Sequence, residues 1–173
     1  MKEQRNRHFS ETSPGRIADC FVIGTTRTSE QDPEFGIMNL SETASRALSP
    51  GINDPGTAIE AIERLSNLLW GYANSKDQAQ KPAITRVFVR VPGADQLIRA
   101  AFAATARDGA GTIEVAIDLR RALLALSQSR DEAINAAAEA MASEALDYSS
   151  AALILDAEKE RLKSVKPMSL ETD

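Results

Sequence analysis

The chain has little of what catalytic and metal centres are usually built from. Its 173 residues include one Cys, one His and one Trp. Cys20 alone excludes an intramolecular disulfide and suits a reducing compartment. It sits in the apolar run Cys20-Phe21-Val22-Ile23, which reads as a buried, inert thiol. With His8 as the single imidazole, no zinc site can be assembled. Gly-x-Ser-x-Gly is missing, so no serine is marked as a nucleophile. No motif calls for a cofactor or a metal. Aromatic residues are only 5% of the chain, and no apolar run approaches the ~18 residues that span a bilayer. The net charge of −5 lacks the basic stripe that displaces counterions from a phosphate backbone, so nucleic acid is not an expected partner. The short basic arm Lys2, Arg5, Arg7 and His8 reads as solvated. No charged-then-apolar signal peptide opens the chain.

What is present suits one soluble domain. Hydrophobic residues make up 43% and charged residues 26%, with Ala and Leu abundant in the second half, a composition that favours closely packed helices. Residues 1–15 are expected to form a flexible N-terminal arm, 16–165 a single mainly helical domain, and 166–173 a frayed tail. Residues 17–26, with Phe21-Val22-Ile23 before Gly24, read as a strand. So do residues 84–91, where Thr85, Val87, Val89 and Val91 share one face and Arg86, Phe88 and Arg90 the other. Two helix-start signals compete near residue 30: the capping box Thr28-Ser29-Glu30-Gln31, and Asp32-Pro33 as N-cap and first helical residue. Either opens a helix with the stripe Ile37, Leu40, Ala44, Ala47 and Leu48. Asp54-Pro55 repeats the second signal before Ile59, Ile62, Leu65, Leu68 and Leu69, and a loop is expected from Ala73. Four more helices are predicted at 94–107, 112–127, 130–144 and 148–163. The fold class is mainly α with a small two-stranded β element (α+β), a helical bundle of about six helices.

The densest local signal is the corner Ala47-Leu48-Ser49-Pro50-Gly51-Ile52-Asn53-Asp54-Pro55-Gly56-Thr57-Ala58. Helix breakers at this density specify a tight turn between two helices. Asp54 explains itself as an N-cap, whereas Asn53 does not, since a cap needs one such residue. The structural reading is a buried polar knot in which Arg27 or Arg46 reaches the corner's carbonyls or Asp54. The functional reading is a ligand cluster of Arg27, Glu30, Asp32, Arg46, Asn53, Asp54 and Thr57. The acids Glu30, Asp32 and Glu34 suggest a cation site only weakly, because a helix dipole favours acids in its first turn. Asp108-Gly109-Ala110-Gly111-Thr112 lacks the lysine of a phosphate loop and reads as a helix end, a turn and a new N-cap.

The spans Arg27-Thr28-Ser29-Glu30-Gln31-Asp32-Pro33-Glu34-Phe35-Gly36-Ile37 and Arg46 to Ala58 resemble the signature of a family of predicted bacterial membrane proteins of unknown function. In that family the motifs belong to the soluble C-terminal region of longer chains with N-terminal membrane helices. The signature positions here are Arg27, Glu30, Gln31, Asp32, Phe35, Gly36, Ser49, Pro50, Asn53, Asp54, Pro55 and Thr57. The resemblance implies no reaction. It implies a cytoplasmic domain, at the cytoplasmic face of the membrane within a longer chain, reaching the membrane only through segments absent here. The expected function is a non-enzymatic regulatory or protein-interaction domain that forms homo-oligomers. The alternative is a small-ligand-binding or metal-dependent enzyme using the corner around Asn53 and Asp54.

Overall fold

A computed structural model describes residues 32–75 and 91–170. These form six helices: α1 Pro33–Ala47, α2 Pro55–Ser75, α3 Ala94–Asp108, α4 Ile113–Leu126, α5 Glu132–Ala152 and α6 Asp156–Lys163. No strand occurs among the described residues. The two expected strands, apart from Val91, and the competing capping box at 28–31 lie outside them.

Local chemistry accounts for the helix starts. Asp32 Oδ1 accepts from the Phe35 N–H at 3.1 Å, with proline next in sequence, so Asp32-Pro33 opens α1 as an N-cap followed by a residue that needs no donor. Asp131 starts α5 in the same way, accepting from the N–H groups of Ala133 and Ile134. Thr112 occupies the N-cap position of α4 without a side-chain capping bond.

Each long helix buries one stripe. Ile37, Ala44 and Ala47 of α1 meet Ala58, Ile62, Leu65 and Leu69 of α2 in a core completed by Phe102, Leu123 and Met141. The five long helices close a ring in the spatial order α1, α2, α4, α5, α3, and α6 lies on α4 and α5. Consecutive helices α3 and α4 therefore touch little and face each other across the ring. At one end the corner, the α3–α4 turn and the α5–α6 link gather. The Ser45 hydroxyl donates to Asp108 Oδ2, and a Cβ on Gly111 would stand 4.0 Å from Ala152 Cβ. At the other end, the Arg130 N–H donates to Asn74 Oδ1 across 3.3 Å, joining the end of α2 to the start of α5.

Expectations about helix ends and buried positions are corrected. The break expected near Leu146-Asp147 does not exist; α5 runs through to Ala152. Neither residue breaks helices, and continuity keeps Ala145 and Ser149 buried one turn apart while Asp147 faces solvent. The chain turns instead at Leu153, whose extended backbone lets its side chain bury. Helix α2 extends to Ser75 beyond the loop expected from Ala73, because Ala73 continues the buried row one turn after Leu69. Leu68, placed with the buried face, is 48% exposed; Ala61 and Ser66 take the inner positions instead. Met168, in the stretch expected to fray, donates its N–H to the Arg121 carbonyl at 3.2 Å and packs on the core with Leu170.

Candidate functional site: the corner and an apolar groove

The corner is built by its own backbone. The Ile52 and Asn53 N–H groups both donate to the Ser49 carbonyl, at 3.0 and 2.9 Å, and the Asp54 N–H donates to Ala47 O at 2.8 Å. The Ser49 hydroxyl donates back to Arg46 O at 2.7 Å. Closing this loop holds Asn53 at a φ of 49°, the left-handed region that non-glycine residues other than Asn and Asp rarely visit. Asn53 therefore has a backbone reason to be where it is, independent of any ligand.

Asp54 starts α2. Its Oδ1 accepts the Thr57 N–H at 3.1 Å and its Oδ2 the Thr57 hydroxyl at 2.7 Å. The Thr57 hydroxyl, and then its N–H, hold this carboxyl below the ordinary carboxylate range, because hydrogen bonds to the charged form favour it. Both oxygens are thus committed to capping.

The expected buried knot is a surface feature: Gly51, Ile52, Asn53 and Asp54 are all exposed. The bonds that close the turn come from within it: Ser49 O takes two N–H groups, Ala47 O takes a third, and the Asp54 carboxylate takes Thr57. Arg46 does not reach Asp54; it pairs with Glu42 at 3.2 Å, its side chain 76% exposed. Asp32 does not join the corner either. It caps the opposite end of α1, and 15 helical residues separate the two by about 22 Å. Arg27 and Glu30 lie outside the described residues. Of the proposed cluster the structure brings together Asn53, Asp54 and Thr57, with Arg46 at the rim.

Asp32 belongs to a different feature. A groove of about 500 Å³ is walled by Ile37 of α1, Leu68 and Tyr72 of α2, and Val91, Pro92 and Leu97 at the start of α3, with Asp32 and Glu34 beside it. Leu68 and Val91 are 48% and 65% exposed. Sequence reasoning missed this groove, although one signal was available: Leu68 and Tyr72 are four residues apart, off the Ile62–Leu65–Leu69 stripe, and form a second apolar row. Among the described residues no group of three or more His, Cys, Asp or Glu side chains is placed to hold a metal ion.

A family described as predicted membrane protein (DUF2254) matches residues 3–125. The chain belongs to this family. An uncharacterised protein of Mycobacterium bovis and two of Mycobacterium tuberculosis are each 45% identical to it over 53 residues, 31% of this chain. The match spans 10% of the length of each relative. No solved structure matches the chain. Among the described residues no helix is long and apolar enough to cross a membrane.

Proposed function

We propose that this chain is a non-enzymatic, cytosolic regulatory or interaction domain of a membrane protein, and that its groove docks a membrane-proximal segment combining apolar side chains with Lys or Arg. The groove carries this reading. It exposes Leu68 and Val91 around a concave apolar floor, where isolated surface apolar residues would be unremarkable. Asp32 and Glu34 set negative charge beside it, on a chain whose net charge is −5. Segments flanking membrane helices on the cytoplasmic side are enriched in Lys and Arg. Charge and shape therefore point to the same occupant. The enzyme reading draws less support, since both Asp54 oxygens are engaged by Thr57 and the corner stands open to solvent.

The test is an NMR titration of the labelled protein with an amphipathic peptide bearing Lys and Arg. Resonances of Leu68, Tyr72 and Val91 should shift, and salt should weaken the effect. An absence of shifts there, or equal shifts from a peptide with Glu in place of Lys and Arg, overturns the reading. Homo-oligomerisation is a separate part of the proposal, and light scattering after size exclusion decides it: a strict monomer at high concentration rejects self-association.

A further inference from the structure

Two buried side-chain atoms among the described residues have no hydrogen-bond partner: Thr105 Oγ1 on α3 and Arg120 Nε on α4. Thr105 is 1% exposed. Groups so placed are normally satisfied by protein or by ordered water. Both side chains line the same small void, together with Ser149 of α5 and the apolar walls Val115, Leu119 and Leu162.

The size of the void selects its occupant. Its free volume is about 10 Å³, close to the ~10–15 Å³ that one water requires by this measure and far below what an organic ligand needs. Its chemistry agrees. Apolar voids stay dry, whereas a buried water makes about three hydrogen bonds to polar groups that would otherwise lack them. Here an N–H that can only donate and a hydroxyl that can donate or accept belong to side chains lining one void, and Ser149 adds a second hydroxyl-bearing residue to that lining.

We propose that this void is a binding site for one ordered water molecule. The water accepts from Arg120 Nε–H and exchanges hydrogen bonds with the hydroxyls of Thr105 and Ser149. It joins α3, α4 and α5, of which α3 and α4 share little contact along their lengths. Leu162, the buried residue of α6, helps to close the site.

Substitution of Thr105 by Val distinguishes a hydrated site from a dry one by the sign of its effect. If the water is bound, Thr105→Val removes one of its partners and raises the unfolding equilibrium constant about tenfold in urea titrations. If the void is dry, the same change deletes an unpaired hydroxyl and leaves stability unchanged or improved. That second result overturns the proposal. Thr105→Ser keeps the hydroxyl and should retain the water in a crystal structure. Should Thr105→Val fail to fold, a high-resolution structure of the wild-type protein decides the matter. Density within hydrogen-bond distance of Thr105 Oγ1 and Arg120 Nε supports the site. An empty void overturns it, as does an anomalous peak there after a bromide soak, which would assign the void to an anion.

Discussion

Gly109 is the position where a single added carbon should be felt most. It ends α3 with a φ of −92°, so any residue could adopt its backbone, and the constraint is space. A Cβ there would stand 2.6 Å from Val115 Cγ1, 2.9 Å from the Thr105 carbonyl and 3.3 Å from Leu48 Cδ1. The carbonyl cannot retreat freely, because it accepts the Gly109 N–H at 2.8 Å and closes the last turn of α3. Val115 is fully buried, so its side chain can shift only against the packing around it. Overpacking of this kind costs about 1–3 kcal/mol, which for a chain of this size lowers the melting temperature by roughly 2–12 °C. Gly111 is the matched control. It also lacks a positive φ, and its Cβ would meet only Ala152 Cβ, at 4.0 Å. Gly111→Ala should be neutral or stabilise by up to about 1 kcal/mol through the unfolded chain. Calorimetry or urea titration of the two variants checks the argument. If Gly109→Ala melts at or above Gly111→Ala, close packing between the α3–α4 turn and the corner is not what requires glycine there.

Asn53→Gly should leave stability unchanged or raised, whereas Asn53→Val should cost about 1–2 kcal/mol, because only the second must force a branched side chain into the left-handed region; urea midpoints decide. Asp54→Ala should destabilise more than Asp54→Asn, which can still accept from the Thr57 N–H, and helix content by circular dichroism should follow the same order. Hydrogen bonds from Thr57 hold Asp54 below its ordinary carboxyl value, and those from Arg107 and then Ser45 do the same for Asp108. Their contribution to stability is complete above the unfolded-state value of 3.8 and is lost as pH falls through the lower folded-state values. Asp54→Asn should therefore flatten the acid limb of a stability–pH curve below that value. Ser45→Ala should cost about 0.5–1.5 kcal/mol by removing the hydroxyl that ties α1 to Asp108 at the end of α3, and hydrogen exchange at the corner should rise with it.

Much of the helical architecture was legible in residue order because its causes are local. Asp-Pro at 32–33 and 54–55 marks a helix start with a side-chain acceptor and a residue lacking a donor, and the structure shows both carboxylates capping. The stripe Ile37, Ala44 and Ala47 needs only the 3.6-residue period to be read as an inner face. The corner was legible as a corner for the same reason, while the accessibility of its polar groups was not. Whether Asn53 and Asp54 are buried depends on what else packs over them, and both are exposed, with Ser49, Ala47 and Thr57 of the same turn as their partners among the described residues.

By itself the sequence determined which residues start helices, which face of each turns inward, and that the chain belongs with a family of predicted membrane proteins. Only the tertiary structure decided which face meets which. The ring order α1, α2, α4, α5, α3 sets α3 and α4 across from each other although four residues separate them. It leaves Leu68 in an open groove beside Asp32. It also turns Thr105 and Arg120 toward one small void. Periodicity records that a side chain is apolar and inward, but the neighbour it meets is chosen by the simultaneous packing of all the helices. That choice is non-local, so no short stretch of the chain contains it.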